Sequence, residues 1–312
     1  MLVKTDIPNL LLAGIKKEFM KQLKMGSAEW QKVATLIKSG KSTETYSWLG
    51  GVPNLREWKD ERITEALLEH DFSIKNLDWE STIAVDRNAL DDEQYGQIGI
   101  RVRDLADKAR RFWGQMIFSL LGQGNASTGT GLFAGKTINC YDGNPFFSAL
   151  HSSGASGIQS NIATGTAFSN VALQAAMVAM SQFVDDKGAI MDIRPNLLVV
   201  HPTNQFLAKE ILNSSFFPTE TSAGAKLATN VMQGTLDLYV TPYVPTNFWC
   251  VMDTSSIVKP LILQLRKKIT FSTLQGNTQE DFMKKKIYYG VDWRGNAGFG
   301  MWQYAYAGSS DY

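Results

Sequence analysis

The sequence predicts an α+β fold of flat, extended shape, and three features predict it. A helical pattern from 91 to 121 would run about 46 Å at 1.5 Å per residue. An alternating apolar and polar pattern from Leu261 to Thr273 would make one strand of about 43 Å, where typical strands are five or six residues. A compact chain of 312 residues is only about 50 Å across. Helix and strand would each span the molecule. Between them lies an ordinary α/β stretch that reads as an inserted domain.

Residues 1–41 hold eight lysines against Asp6, Glu18 and Glu29. Ile15, Phe19 and Leu23 share one helical face, as do Trp30, Val33 and Ile37. This predicts one or two short amphipathic helices on an arm, lysines outward. A solvated face and a functional basic arm both fit.

Tyr46 to Arg62 combines Trp48, Leu49, Leu55 and Trp58 with the breakers Gly50, Gly51 and Pro53, and has neither helical nor strand period. Such a segment belongs on the surface, yet each large apolar group gains about 1.5–3 kcal/mol on burial. Either the loop folds back on its own domain or something else covers it. Leu68, His70, Phe72 and Ile74 then alternate with polar residues, and Trp79, Ile83 and Val85 do so after Lys75-Asn-Leu-Asp78. These predict a hairpin over 66–86, marginal in water on its own.

The spanning helix opens on Asn88, which can cap, and on Asp91, Asp92 and Glu93, which suit the positive end of the helix dipole. Ile98, Val102, Leu105, Ala109, Phe112, Met116 and Leu120 recur at spacings of three and four, and Gly122-Gln-Gly124 ends the run. In the inserted stretch, 171–184 reads as a small-residue helix, Leu197–Val200 as a buried strand and Thr203–Leu212 as a helix. Leu236–Tyr243 and Phe248–Met252 read as further strands. Met283–Val291 and Phe299–Tyr306 are expected to pair with the long strand.

Composition narrows the function. The chain is 44% hydrophobic and 20% charged with a formal charge of +1, so neither a disordered chain nor a strongly cationic nucleic-acid binder is expected. No apolar run reaches the ~18 residues of a membrane span, and Met-Leu-Val-Lys begins no secretory signal. The expectation is folding in the cytosol. Cys140 and Cys250 are far apart with no C-x-x-C spacing, and are read as reduced structural thiols.

Catalytic patterns fail one by one. Gly129 to Thr137 resembles a phosphate loop, but Thr130 occupies the position of the first required glycine, and a helix rather than a strand precedes it. His70, His151 and His201 have no metal-ligand spacing. His151 beside Ser152 and Ser153, with Asp142 as orienting acid, leaves a remote serine–histidine hydrolase reading, although Gly-x-Ser-x-Gly is absent. Asp91-Asp-Glu93 is explained by its helix start. Lys284-Lys-Lys286 reads as a solvated strand edge. No catalytic, cofactor-binding or metal residues are assigned, and no enzyme activity is expected.

Four motifs then resemble a known family: Tyr46-x-Trp-Leu-Gly-x-x-Pro-x-Leu-Arg-Glu-Trp-x-x-x-Arg62, Tyr141-Asp-Gly-x-Pro-Phe-Phe-x-x-x-His151, Asn196-Leu-Leu-Val-Val-x-Pro202 and Tyr289-Gly-Val-Asp-Trp-Arg-Gly-x-x-Gly-x-Gly-x-Trp302. The chain is similar, from residue 46 to 302, to the major head (capsid) subunits of Mu-like tailed bacteriophages. The resemblance implies the tailed-phage capsid (Johnson) fold. Its parts here would be an N-terminal arm 1–45, an extended loop 46–87 and a peripheral domain 88–155 with spine helix 91–121. An axial domain 156–255 and returning strands 256–312 would complete it.

The implied function is self-assembly, through pentameric and hexameric capsomers, into the icosahedral head that encloses double-stranded DNA. A tail or portal-connector protein is the alternative, disfavoured by the order of spine and inserted domain. The residues expected at subunit interfaces are Trp30, Tyr46, Trp48, Leu49, Pro53, Leu55, Arg56, Trp58, Arg62, Phe72 and Trp79. Implied partners are other copies of the chain, a scaffolding protein, a portal at one vertex, packaged DNA held by weak non-specific contact, and a decoration protein. No membrane partner is expected. The first 45 residues suffice for an arm but show no long charged helical scaffolding segment, so the scaffold is expected to be a separate protein and the subunit to remain uncut. The implied location is the virion shell, assembled in the bacterial cytoplasm.

Overall fold

A computed structural model describes residues 7–25, 29–46, 72–86, 95–221, 224–274 and 285–311. In chain order these form α1 (Ile7–Lys24), β1 (Ala34–Lys38), β2 (Thr43–Thr45), β3 (Ser73–Lys75), β4 (Leu77–Asp86) and α2 (Tyr95–Leu121). There follow β5 (Ile162–Thr164), α3 (Asn170–Ser181), β6 (Leu197–Val200), α4 (Gln205–Asn213), β7 (Phe216–Thr221) and β8 (Gly224–Thr229). The rest are β9 (Asp237–Val240), β10 (Trp249–Met252), β11 (Leu261–Leu274), β12 (Lys286–Phe299) and β13 (Ala305–Ser309).

The two spanning elements are present. α2 has 27 residues, about 40 Å of helix. β11 and β12 have 14 residues each and pair antiparallel as a ribbon of about 48 Å, with register shifts at Leu265/Lys267 and Lys267/Thr270. β1 extends this sheet in parallel on the β11 edge and β4 antiparallel on the β12 edge. Asn88, Asp91, Asp92 and Glu93 lie outside the described residues.

α2 joins two cores. Its first half buries Ile98, Val102, Leu105 and Ala106 against Phe19 of α1 and against Val85, Ile287, Tyr289 and Val291 of the ribbon sheet. Its last turns bury Met116, Ile117, Phe118, Leu120 and Leu121 in the main core, where Phe118 stacks on Tyr239 at 4.7 Å. The expected face of α1 is real: Phe19 is fully buried and its ring stacks on Phe271 at 4.5 Å. A Cβ on Gly122 would lie 2.4 Å from Pro245 Cδ, so glycine there lets the helix end press against the second sheet.

That second sheet has the order β5-β13-β10-β6-β9, with β5/β13 and β6/β9 parallel and the central pairs antiparallel. β6 and β10 are buried throughout, as strands covered on both faces should be. β7 and β8 form a separate two-stranded hairpin.

Three expectations need correction. Trp30, Val33 and Ile37 are not on a helix: Trp30 sits in a 3-10 turn, Glu29–Lys32, and Ala34–Lys38 is a strand. Val33, Thr35 and Ile37 are β-branched and alternate, and the open edge of β11 completes their hydrogen bonds. Residues 72–86 do not form a hairpin. β3 pairs with β2 and β4 with β12, because Asn76 is tied by Nδ2 to Ser39 and to the Lys41 carbonyl instead of turning the chain back. Leu68 and His70 lie outside the described residues. Finally, β13 leaves the ribbon and enters the middle of the second sheet. Gly308 permits this, since a Cβ there would meet the Trp249 ring at 2.4 Å.

Candidate functional site

Both ends of segment 47–71 are fixed at one place. The Tyr46 amide donates to the Phe72 carbonyl at 2.7 Å, β2 pairs with β3, and the two rings lie 6.2 Å apart. Beneath them the Tyr46 hydroxyl donates to Gln264 Oε1 at 2.6 Å. Gln264 Nε2 donates in turn to the Ile74 carbonyl at 3.1 Å and to Asn76 Oδ1 at 2.8 Å. Burial pushes the Tyr46 phenol well above its ordinary pKa. At the rim, amides of Lys41 and Gly40 and the Ser39 hydroxyl hold the Glu44 carboxyl below its usual range.

Trp48, Leu49, Pro53, Leu55, Arg56, Trp58 and Arg62 lie outside the described residues. Trp30 and Tyr46 were expected to meet a neighbour; instead both are buried in the chain's own core, where they support the loop root and the spine. Phe72 and Trp79 are half-buried against that core. Gln264 occupies a polar position in the alternating pattern of the long strand. It is fully buried, and its place within Leu261-Ile-Leu-Gln-Leu265 was the available signal.

An aromatic cluster fastens ribbon to spine. Trp79 and Trp293 stack at 6.2 Å across the β4–β12 pair, Phe112 packs 5.1 Å from Trp79, and Trp113 meets Trp293 edge-on at 5.8 Å. Trp30 extends the chain of rings to Trp113 at 5.8 Å. Lys136 Nζ sits 5.5 Å from the Trp79 ring centre, and burial lowers the ammonium's pKa. Offset and edge contacts of this kind add about 0.5–1.5 kcal/mol per pair beyond burial.

His151 does have the acid partner the sequence suggested. Its Nδ1 lies 2.6 Å from Asp142 Oδ2, and both side chains are buried. Yet Nε2 faces the Phe146 carbonyl at 3.2 Å, and the imidazole stacks on Trp302 at 4.1 Å. A general base needs Nε2 directed at a nucleophile's proton; this ring is held on both sides as a packing element. Cys140 and Cys250 are free and buried, and burial pushes both thiols up. Among the described residues no group of three or more His, Cys, Asp or Glu could hold a metal, and no helix is long and apolar enough to cross a membrane. The 129–137 loop closes on itself through a 3-10 turn at Gly131–Phe133.

The surface presents contact-ready faces. α3 carries no charged side chain, is capped by Ser169, and exposes Val171 and Val178 on its outer side. Ile158 and Ile190 are exposed beside isolated β-bridges, and Gln159 is tied to Val184 just beyond the C-terminal end of α3. A groove of about 720 Å³ runs between α1, α2 and the ribbon sheet. Its apolar lining includes Met20, Leu23, Leu36, Leu265 and Ile269, with Tyr243 among the lining residues as well. Lys24, Arg110, Arg111 and Lys268 also line it. Such features are interaction surfaces more often than single exposed apolar residues are.

The family model for the Mu-like prophage major head subunit gpT matches residues 9–170, 159–244 and 245–311. The chain is 26% identical over 306 residues to the Mu-like prophage FluMu major head subunit of Haemophilus influenzae, covering 98% of this chain and 74% of that protein. It is 23% identical over 305 residues to the major capsid protein of Escherichia phage Mu, covering 96% and 73%. Among solved structures, a procapsid of bacteriophage JBD30 matches with TM-score 0.58 at 24% identity, over 99% of this chain and 76% of that one. The capsid of a native GTA particle matches with TM-score 0.56 at 10% identity, over 91% of each chain. At these identities the structural likeness is one of fold.

Proposed function

Because the chain belongs to the Mu-like prophage major head subunit (gpT) family and is a major capsid protein of the virion shell, we propose that its copies join as hexamers and pentamers through the faces described above. The observation that carries this reading is the family match along nearly the whole chain. The charge-free outer side of α3, with Val171 and Val178 exposed, supports an axial contact around the capsomer symmetry axis. Depletion of charge is what marks the core of an interface. The apolar loop 46–87, rooted at Tyr46 and Phe72, reaches a neighbouring copy with Trp48, Leu49, Pro53, Leu55 and Trp58. The closed shell is icosahedral and encloses double-stranded DNA.

The same reading supplies the partners. A separate scaffolding protein guides assembly in the bacterial cytoplasm, a portal occupies one vertex, and a decoration protein binds the outer face. Packaged DNA touches the inner face weakly, since a formal charge of +1 offers few of the phosphate contacts on which strong non-specific binding depends. The work is binding rather than turnover, as the engaged Nε2 of His151 also suggests.

Negative-stain imaging of the purified chain tests the reading. Shells or hexameric capsomers are expected, and rings, tubes or monodisperse monomers would overturn it. The Trp48→Ala, Trp58→Ala double substitution should abolish shells while leaving soluble subunits, because buried tryptophans at interfaces contribute about 2 kcal/mol or more each. Normal particles from that variant would remove the loop from the interface.

A further inference from the structure

We propose that the lysine face of α1, continued by Arg110, Arg111 and Lys268, is where the chain touches packaged duplex DNA. This rests on the reading that the shell encloses double-stranded DNA, and it names the surface that meets it.

Helix period makes the face. Ile15, Phe19 and Leu23 turn inward onto α2 and the ribbon sheet, with Phe19 fully buried. At about 100° per residue, Lys17, Lys21 and Lys24 fall within ~60° of one another on the opposite side, and Lys16 flanks them. All four lysines are exposed. Glu18, the acid in this stretch, is turned to Arg103 of α2 at 4.0 Å. No ion pair between described residues engages the four lysines.

The face continues along the edge of the groove, where Lys24 shares the lining with Arg110, Arg111 and Lys268. Arg110 and Arg111 divide the single carboxylate of Asp107. Neighbouring acids are already matched, Asp104 by Lys108 and Glu29 by Lys32. Seven cations against one carboxylate leave about +6 here, so a chain of formal charge +1 carries about −5 elsewhere. Positive charge gathered on one face in this way is the electrostatic footprint of a polyanion. The low net charge conceals it.

Duplex DNA fits this face better than an acidic protein does. Lys16, Lys17 and Lys21 stand outside the lining of the groove, on the convex side of a helix. Phosphates need no seat there, whereas a protein segment binds through a buried core of side chains. From Lys17 to Lys24 the helix rises about 10 Å, over which a duplex presents about six phosphate charges. A lysine ammonium is a point charge on a flexible stem. It holds phosphate without fixing register, so the duplex can slide as it is packaged and released.

The test is fluorescence anisotropy of two duplexes of unrelated sequence with unassembled full-length subunits, from about 50 to 200 mM salt. The slope of log affinity against log salt should be about −4 to −6, from four to seven contacts at ~0.9 each, and equal for both sequences. Lys17→Gln, Lys21→Gln and Lys24→Gln together should weaken binding at least tenfold at the lowest salt and flatten the slope by about 3, with unchanged circular dichroism. The same change at Lys41, Lys75 and Lys209, exposed and outside this face, should alter neither. A wild-type slope shallower than about −3, affinities that differ between the sequences, or an equal loss in the second variant overturns the proposal. Tighter binding of poly-glutamate than of duplex at equal charge assigns the face to an acidic protein and overturns it too. Negative-stain images of the same chains after assembly separate the layers. Shells from a chain that fails the DNA test defeat this proposal alone, whereas a wild-type chain that forms no shells defeats the underlying reading.

Discussion

Replacing Gln264 by leucine should loosen the root of the extended loop from beneath. Gln264 is fully buried and serves three partners: it accepts from the Tyr46 hydroxyl and donates to the Ile74 carbonyl and Asn76 Oδ1. Leucine fills similar space but satisfies none of them. Each buried polar group left without a partner costs about 1–3 kcal/mol. The Ile74 carbonyl keeps its ladder partner Glu44, so two such groups, offset in part by the added apolar burial, give a loss of about 2–4 kcal/mol. That is a large fraction of the about 5–15 kcal/mol that holds a typical protein folded. Urea unfolding of unassembled subunits reads the loss directly. In a Tyr46→Phe background the orphaned hydroxyl is gone, so Gln264→Leu should cost about 1–2 kcal/mol less there. A cost below about 1 kcal/mol, or costs that simply add in the double mutant within ~0.5 kcal/mol, would refute the account of a shared buried network.

Three further outcomes follow from the same geometry. Val171→Asp with Val178→Asp should leave subunit stability within about 0.5 kcal/mol, since both side chains are exposed, yet prevent capsomers from appearing in sedimentation; intact capsomers would exonerate the α3 face. Asp142→Ala removes the buried hydrogen-bond partner of His151 Nδ1 and should destabilise the subunit by about 1–3 kcal/mol, measured as a lowered urea midpoint. The hydrogen bond from Arg110 is the main cause holding the Asp107 carboxyl below its ordinary range, with Arg111 adding to it. A depressed pKa means that this contribution is present above about pH 4, the usual carboxylate value, and is lost as pH falls towards the folded value. Subunits with Asp107→Asn should therefore show a shallower fall of stability between about pH 5 and pH 2, and an unchanged slope would count against the pairing.

Long repeats were legible in the sequence and short ones were not. The period of α2 persists over many turns, and the alternation of β11 runs through Leu261, Leu263, Leu265, Ile269 and Phe271, so no rival pattern fits either. Trp30, Val33 and Ile37 also fit a helix by spacing, but Val33 and Ile37, four apart, share a face at a period of 2 as well, and Trp30 belongs to the 3-10 turn before the strand. The β11 edge decided the matter, and that edge comes from residues far along the chain. Asn76 similarly looked like part of a turn until Ser39 and Lys41 were brought beside it. The His151–Asp142 pair was visible as a possibility, but only the Phe146 carbonyl and the Trp302 stack revealed its role. Trp79 was legible only as an apolar position in an alternating strand, and its partners Trp293 and Phe112 were unreadable across such separations.

The position of β13 sets a timetable for synthesis. Trp249 faces Gly308 across the centre of the second sheet, and Ala34 faces Leu261 at the edge of the first. A ribosome adds about 5–20 residues per second, so a nascent chain has seconds in which its early strands wait for late ones. Neither sheet can close while residues 261–309 are still being made. An unfinished chain consequently lacks both the ribbon and the central strand, and offers incoming copies no completed surface to dock on. Only a chain released beyond β13 can be counted into a lattice, which makes topology itself a checkpoint between translation and growth of the shell.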